Sequence, residues 1–473
     1  MKKTHSATDS DARPTLQFLG GTGTVTGSKF LLTRGSSNLL VDCGLYQGIK
    51  ELRLRNWNHL PIAPARVDSV ILTHAHLDHS GYLPALCRNG FEGPIFATPG
   101  TRDLCEILLP DSGHLQEEEA EYANRRGYSK HTPALPLYTE EEARDSLTRF
   151  EPVPLAQSFE ADRYRAEFRH AGHILGAASV RIQTDHHRGM SILFSGDLGR
   201  PHHPILRAPD PPPAVDFIVV ESTYGDRHHD DATALQTFTD AINRTFNRQG
   251  VVVIPSFAVD RTEVVLFHLR RLQAEKRIPV TPIYVDSPMA LAALKLYQTA
   301  LVAGDPSVAH DVAGKPETIE PSGLAEVKTV EESIALNHLG GPMIIVAASG
   351  MATGGRVLHH LANRLPDERN AVILVGYQAE GTRGRSLIDG ALSVKMLGRY
   401  IPVRAETVNV PAFSVHADQG ELLHWLKQAE QEPRAIFIVH GDPAAAEALR
   451  DRIVSELRWN AVVPHYLERV RLD

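Results

Sequence analysis

Cysteine is scarce in this sequence, which has only Cys43, Cys87 and Cys105 among its 473 residues. No two of them form a C-x-x-C pair. This argues against a disulfide framework and against a zinc site built from thiolates, and it fits a reducing compartment.

Long apolar runs and an excess of positive charge are also missing. No stretch approaches the ~20 apolar residues of a membrane span. The N-terminal stretch MKKTHSATDSDARP has no apolar segment after its lysines, unlike a signal peptide. The formal net charge of −8 argues against a generally basic nucleic-acid-binding surface, although a local basic groove remains compatible with it. We therefore expect a cytoplasmic protein with no membrane partner.

Histidine, by contrast, is abundant, with 24 residues, and residues 74–79 read HAHLDH, one residue after the apolar run VDSVIL. Alternate residues of a strand face the same way, so His74 and His76 can bind one metal ion together. Asp78 and His79 follow the turn and can face a second ion. Imidazole and carboxylate ligands suit zinc, and four such crowded side chains would repel one another without a cation.

Two metal ions need more ligands than this turn supplies, and three further candidates occur beside glycines at the ends of strand-like stretches. They are His173 in AGHILGAA, Asp197 in FSGDLG and His440 in IVHGD. Glycine lets a loop approach a metal ion closely.

The pattern of predicted elements changes along the chain. Short strands separated by glycines fill much of the first part, and the polar region 114–149 is predicted to be helical. After the proline-rich connector PDPPPAVDF, fully apolar strands alternate with helical segments: DFIVVES, GVVVIPSFAV, IPVTPIYVDS, GPMIIVAASGM and NAVILVGYQ. This pattern is typical of a parallel α/β sheet buried on both faces, inserted into another α/β domain.

The histidine motif, together with Asp42 in VDCG upstream and His173 and Asp197 downstream, resembles the metallo-β-lactamase fold. That fold is an αββα sandwich with a two-metal site at its edge. The resemblance implies that one zinc is held by His74, His76 and His173, the other by Asp78, His79 and His440, and that Asp197 bridges both. It also implies that Asp42 orients the histidine loop.

Later motifs resemble the β-CASP nucleases of the same superfamily and follow that family's order. They include ESTYGDR, SFAVDRTE, YVDSPMA, ASGMATGGR, GYQAEGTRGRSL and FSVHAD. The resemblance implies a metallo-β-lactamase domain over residues 1–222, an inserted parallel-sheet β-CASP domain over 223–401, and the C-terminal part of the first domain over 402–473. Glu221, His416 and His440 occupy signature positions, and histidine at the last is the pattern of RNA-processing members.

The function implied is a zinc-dependent ribonuclease with two zinc ions per chain. It would hydrolyse phosphodiester bonds of single-stranded RNA by a two-metal hydroxide mechanism, leaving 5′-phosphate and 3′-hydroxyl ends. The candidate catalytic residues are Asp78, Glu221 and His416, with His416 as the proton donor. Endonuclease and 5′-exonuclease modes both remain open, as does homodimer formation.

The segment ASGMATGGR offers donors for an RNA backbone: Ser349, Thr353, the amides of Gly354 and Gly355, and Arg356.

Three alternatives to the ribonuclease function remain. A small-molecule hydrolase would not need the inserted domain, Glu221 or His416. A DNA nuclease of the same superfamily would share the inserted domain, but histidine at position 440 disfavours it. A non-catalytic RNA-binding subunit is disfavoured because every ligand position is filled.

Overall fold

A computed structural model describes residues 13–127, 129–184 and 189–473 of the chain. Its contacts divide the chain into two compact units. The first unit comprises the described residues up to Pro201, with Ala208–His228 and His416–Asp473, and the second comprises His202–Arg207 and His229–Val415.

The strands, numbered in chain order, are β1 Thr15–Phe18, β2 Phe30–Arg34, β3 Ser37–Val41, β4 Ser69–Ile71, β5 Ile95–Ala97, β6 Phe150–Pro152, β7 Ser158–Ala161, β8 Tyr164–His170, β9 Ala178–Gln183, β10 Ser191–Phe194, β11 Phe217–Glu221, β12 Val251–Pro255, β13 Ile283–Val285, β14 Leu324–Glu326, β15 Met343–Ala347, β16 Ala371–Val375, β17 Ser393–Met396, β18 Arg399–Pro402, β19 Glu406–Val410, β20 Ala435–Val439, β21 Ala461–Val462 and β22 Arg469–Arg471.

The α-helices are α1 Lys50–Leu54, α2 Leu77–Ser80, α3 Leu83–Arg88, α4 Pro99–Arg126, α5 Glu140–Leu147, α6 Asp231–Asn247, α7 Arg261–Ala274, α8 Pro288–Ala303, α9 Val330–Leu336, α10 Val357–Arg364, α11 Arg383–Ile388, α12 Gln419–Lys427 and α13 Pro443–Arg452. Single turns of 3-10 helix occur at Arg55–Trp57, Pro64–Arg66, Pro316–Ile319 and Pro411–Phe413, and a π-helical turn at Ile453–Leu457. Among the described residues, no helix combines the length and apolar character needed to cross a membrane.

The first unit is built on two seven-stranded sheets, in the orders β22-β1-β2-β3-β4-β5-β6 and β21-β20-β11-β10-β9-β8-β7. One apolar core joins them: Phe18 and Phe30 of the first sheet and Phe194 and Phe437 of the second are all nearly inaccessible to solvent. Alternating burial along β8 presents one of its faces to this core. This two-sheet sandwich confirms the fold predicted for this part of the chain.

The second unit contains a six-stranded sheet in the order β14-β13-β15-β12-β16-β19, in which every neighbouring pair is parallel. Strands β12, β15 and β16 are buried along their whole length, as fully apolar sequences require. The parallel sheet predicted from the sequence is thus confirmed. Strand β19 pairs with β16 in this sheet, beyond the domain boundary predicted at residue 402.

The polar region 114–149 is not one helix, as the sequence suggested. Helix α4 runs through Pro110 and ends at Arg126, where Gly127 adopts a left-handed conformation with φ of 64°. Helix α5 begins only at Glu140, with Thr139 and Glu142 forming a capping box. The helix prediction was wrong for the described residues between the two, because Gly127 ends the first helix and Thr139 starts the next.

Candidate metal centre

The histidine turn follows β4, at the edge where the parallel strand β3 also ends. Asp42, directly after β3, accepts hydrogen bonds from the backbone N–H and the hydroxyl of Thr73, at 2.8 and 2.9 Å. Its Oδ2 also lies 2.8 Å from Nδ1 of His79. Gly44 packs against the same turn, since a Cβ there would lie 1.6 Å from the Asp78 carbonyl oxygen. Asp42 and Gly44 therefore fix the backbone and one ring of the turn.

A first group of ligand-type atoms comes from three separate loops. His74, His76, His173 and Asp197 each offer one atom, and these atoms lie within 4.8 Å of one another. Nδ1 of His76 lies 3.1 Å from Nε2 of His173. Oδ2 of Asp197 lies 3.5 Å from Nε2 of His74 and 3.7 Å from Nε2 of His173.

The loop between β8 and β9, which carries His173, is held by the N-terminus of α4. The Gly176 carbonyl accepts hydrogen bonds from the hydroxyls of Thr98 and Thr101, at 2.5 and 2.9 Å. Thr98 also caps the helix by accepting from the Thr101 N–H at 3.2 Å. Gly176 has φ of 78°, and a Cβ there would lie 2.3 Å from the Thr101 nitrogen. A glycine is therefore required at this position.

A second group consists of Asp78, His79 and His440. Nε2 of His440 lies 3.4 Å from Oδ2 of Asp78, and Nε2 of His79 lies 3.3 Å from Oδ1 of Asp197. Asp197 therefore turns Oδ2 to the first group and Oδ1 to the second. This is the arrangement expected of a carboxylate that bridges two metal ions.

These residues fit the zinc ions implied by the sequence. Nε2 of His74, Oδ1 of Asp197 and Nε2 of His440 are buried and make no hydrogen bond with a described residue, although other ligand-type atoms lie 3.3–3.5 Å from them. Buried polar atoms without partners are costly, and a bound cation removes that cost. Ligands ~2.0–2.2 Å from a tetrahedral zinc ion lie ~3.3–3.5 Å apart, close to the spacings within both groups.

Electrostatics differ between the two groups. Burial lowers the pKa of His74 and His173 well below the ordinary value, and burial lowers the pKa of His76 to about 4. These rings therefore stay neutral, as metal ligands must. Burial also acts to lower the pKa of His79, but the carboxylates of Asp197 and Asp42 outweigh it and raise that pKa well above the ordinary value. The same carboxylates would favour a metal cation, which would displace that proton.

A further pair of side chains lies beside the two groups. Nδ1 of His416 lies 3.3 Å from Oε1 of Glu221 and 3.9 Å from Oδ2 of Asp197. Glu221 is fully buried at the end of β11, and its carboxylate accepts the backbone N–H groups of Leu198 at 2.7 Å and Thr223 at 3.2 Å. Glu221 thus holds one nitrogen of the His416 ring, whose side chain is 16% exposed.

The residues predicted to contact an RNA backbone lie in the second unit. Oγ of Ser349 accepts from the backbone N–H groups of Thr353 at 3.0 Å and Gly354 at 3.3 Å. Gly355 takes a positive φ of 75°. The Arg356 guanidinium donates to Asp286 at 2.7 Å and to the backbone carbonyls of residues 327 and 328. These contacts close the loop on itself and tie Arg356 to its own domain.

Two supporting residues escaped the sequence analysis. The hydroxyl of Thr73 lies 3.1 Å from Nδ1 of His74, and the hydroxyl of Thr223 lies 3.1 Å from Nδ1 of His440. Each contact leaves Nε2 of its histidine for a ligand role. Their position gives a usable signal: Thr73 directly precedes the histidine motif, and Thr223 lies two residues after Glu221.

Three family models match the chain. They are a Beta-lactamase superfamily domain over residues 37–246, a Beta-Casp domain over residues 262–387, and a Zn-dependent metallo-hydrolase RNA specificity domain over residues 400–464. Fold and site together define a hydrolase of the metallo-β-lactamase superfamily.

Similar proteins identify the group within that superfamily. Ribonuclease TTHA0252 of Thermus thermophilus is 38% identical over 94% of this chain and 98% of its own length. Transcription termination factor FttA of Methanosarcina mazei is 31% identical over 100% of this chain and 74% of its own. An RNase J-like protein of Methanocaldococcus jannaschii is 30% identical over 95% and 97%. The chain belongs to the β-CASP family of metallo-β-lactamase nucleases and is an enzyme, as its sequence predicted.

A solved structure shares the fold. The crystal structure of a protein of unknown function from Enterococcus faecalis V583 superposes with a TM-score of 0.54 and covers 98% of this chain and 100% of that one. Its sequence identity is 16%, so the likeness concerns the fold alone.

Proposed function

We propose that this protein is a zinc-dependent ribonuclease that hydrolyses phosphodiester bonds in single-stranded RNA and leaves 5′-phosphate and 3′-hydroxyl ends. The observation that carries the proposal is the pair of ligand groups joined through Asp197, with His416 beside them. The names of two relatives, Ribonuclease TTHA0252 and RNase J-like protein, and the RNA specificity model over residues 400–464 support RNA as the substrate.

The residues that would hold two zinc ions are those of the two groups. His74, His76 and His173 would hold one ion, Asp78, His79 and His440 the other, and Asp197 both. Ions bound here would supply positive charge against the phosphate oxygens and activate water at neutral pH. Asp42 would keep the His79 ring in its ligand orientation through the 2.8 Å contact at Nδ1.

His416 would donate a proton to the leaving 3′-oxygen. Its Nδ1 is engaged by Glu221, so Nε2, on the opposite side of the ring, is the atom that can give up a proton. Glu221 would act as a positioning residue, because two backbone N–H groups fix its carboxylate and it in turn fixes the ring. A proton supplied at this point prevents charge from accumulating on the leaving oxygen.

We expect the enzyme to work in the cytoplasm, where thiols stay reduced; Cys43, Cys87 and Cys105 are all free. The predicted contacts of Ser349, Thr353, Gly354, Gly355 and Arg356 with the RNA backbone stay part of the proposal. Because Arg356 is paired with Asp286 and Ser349 accepts the Thr353 and Gly354 N–H groups, a phosphate would have to replace one of these partners.

The test uses the full chain loaded with zinc and end-labelled RNA and DNA strands of one sequence, with either 5′-phosphate or 5′-hydroxyl. We expect cleavage of RNA, poor cleavage of DNA, and no activity in an Asp78→Asn, His79→Ala variant. The pattern of labelled products separates internal cuts from 5′ trimming. Equal cutting of DNA would favour the DNA nuclease, and RNA binding without any cleavage would favour the non-catalytic subunit.

A further inference from the structure

A two-stranded hairpin of the second unit, formed by β17 and β18, presents an unusual outer surface. Its inner residues Val394, Met396 and Ile401 belong to the apolar core of that unit. On the outer side, the register pairs Lys395 with Tyr400, and the Tyr400 side chain is 71% exposed. A large aromatic ring is thus held on a rigid strand, in solvent, next to a lysine.

The charge of this segment differs from that of the whole chain. Residues 390–405 contain Lys395, Arg399 and Arg404 and no Asp or Glu, in a protein of net charge −8. All three cations are exposed, and none forms a salt bridge with a described residue. The register places Lys395 on the outer face beside Tyr400, whereas Arg399 pairs with buried Met396 and Arg404 lies beyond β18. Lys395 is therefore the cation that shares the face of the exposed ring.

The hairpin tip is also apolar. The connecting residues Leu397 and Gly398 both have positive φ, 49° and 79°, as a two-residue type I′ turn requires. The first of these positions favours asparagine or glycine, because other residues are strained at positive φ. Here it is occupied by Leu397, which is 45% exposed. The sequence keeps an apolar side chain at a position where stability alone favours a polar one.

Arg383 connects the hairpin to the Ser349–Arg356 loop. Its guanidinium donates to the carbonyl of Lys395 at 2.8 Å and to the carbonyls of Ala352 and Thr353 at 3.2 and 3.0 Å. The hairpin and the loop are therefore fixed as one surface. A platform for single-stranded nucleic acid needs an exposed aromatic ring, a cation beside it and a firm anchor, and this hairpin has all three.

We propose that the β17–β18 hairpin is a binding site for single-stranded RNA outside the metal centre, with a base stacked on Tyr400 and a phosphate bound by Lys395. The inference rests on the proposed ribonuclease function and adds a second point of attachment for the substrate strand. Stacking tolerates any base, and the lysine contacts the backbone, so the site binds without sequence preference.

The test compares full-length variants in binding and in turnover. Tyr400→Thr removes the ring but keeps a β-branched residue in the strand, and Lys395→Gln removes the charge beside it. Lys295→Gln, an exposed site on α8, is the matched control. Binding is measured by fluorescence anisotropy with labelled oligoadenylates of 20 and of 4 nucleotides, and cleavage by multiple-turnover kinetics on the same RNAs.

We expect Tyr400→Thr to weaken binding of the 20-mer by about ten-fold, a loss typical of one stacked base, and Lys395→Gln to weaken it by a smaller factor. Lys395→Gln should also reduce the slope of log affinity against log salt by about 0.7, because single strands contribute about 0.7 per phosphate contact. KM should rise for the 20-mer alone, with kcat unchanged and the 4-mer unaffected.

Unchanged affinity in both hairpin variants, with cleavage of RNA by the wild type intact, would overturn the site while leaving the proposed function standing. A change from dimer to monomer in sedimentation, with RNA affinity unchanged, would reassign this surface to contact between copies of the chain. Failure of the wild type to cut RNA at all would count against the ribonuclease itself.

Discussion

Asp197 is the residue through which the two ligand groups meet, since its two oxygens face different histidines. It is 2% exposed and lies three residues beyond β10, so a short, buried loop fixes it. Burial acts to raise its pKa, but His440, His79 and His74 outweigh this and hold that pKa well below the ordinary value. The carboxylate is therefore ionised at neutral pH, which is the form that could bind a metal ion.

His416→Ala should keep both zinc ions and lose turnover. Removing a general acid costs ~10²–10⁴-fold in kcat. Glu221→Gln should give a smaller loss and a shifted pH profile, because the ring keeps its place but loses its charged partner. Elemental analysis measures the zinc content of each variant, and kcat as a function of pH measures its turnover and pH profile. Asp197, Glu221 and His416 each offer one ligand-type atom, and these three atoms lie within 4.8 Å of one another. Loss of zinc from the His416 variant would therefore assign His416 to metal binding instead.

Glu263 should make stability depend on pH. It is fully buried in α7, and neither carboxylate oxygen has a hydrogen-bond partner among the described residues. Burial, and then the charge of Asp260, raise its pKa well above the ordinary value. The folded state therefore keeps a proton that the unfolded chain loses above pH ~4.5, so stability falls as pH rises above that value.

Glu263→Gln should remove the loss of stability that the wild type shows as pH rises. The variant's Tm should exceed that of the wild type at pH 8 by about 2–4 °C or more, and the gap should narrow at pH 5. Thermal unfolding followed by circular dichroism at both pH values measures it. A gap of the same size at both values would mean that Glu263 does not carry the proton.

At the scale of elements, the centre is assembled from strand ends brought to one edge. Strands β3 and β4 run parallel and end beside Asp42 and the histidine turn, and β11 and β20 run parallel and end at Glu221 and Val439, directly before His440. The loop of His173 depends on a different contact, the packing of Gly176 on the first turn of α4.

Gly176→Ala should therefore damage both fold and metal binding. The positive φ and the 2.3 Å approach to the Thr101 nitrogen predict a loss of about 2–4 kcal/mol and weaker zinc binding through a displaced His173. Gly127→Ala, at the other end of α4, is the control. It shares the positive φ but meets no atom within 4 Å, so it should cost about 1–2 kcal/mol and leave zinc binding unchanged.

The sequence predicted elements well wherever pattern and motif agreed. The apolar runs before HAHLDH and VHGD became β4 and β20, because they are buried on both faces. It missed the β17–β18 hairpin, whose Leu397-Gly398 turn lacks the usual Asn-Gly signal. It also missed that Lys29, between the rings of Tyr46 and Tyr82, is buried, since a lysine next to a strand is normally exposed.

At the scale of the whole molecule, metal removal should lower thermal stability. A ligand at a thousand times its Kd stabilises by about 4 kcal/mol per site, because it binds the folded state alone. Chelated protein should therefore unfold several degrees earlier than protein with excess zinc, and added zinc should restore the Tm. The Asp78→Asn, His79→Ala variant should show a smaller shift. An equal shift in that variant would place the stabilising zinc elsewhere.

The family and the α/β architecture of both units could be predicted from the sequence because several motifs agreed along almost the entire chain. The placement of Thr73 and Thr223 at the second nitrogen of His74 and His440 could not, since it depends on ring orientation in the folded site. The same holds for the buried Glu263, which only packing reveals.

Anomalous X-ray scattering at the zinc edge from crystals of the zinc-loaded protein tests the central claim most directly. The account predicts two peaks ~3.5–4 Å apart, one among His74, His76 and His173, the other among Asp78, His79 and His440, with Asp197 in contact with both. A single peak, or peaks that do not share Asp197, would contradict it.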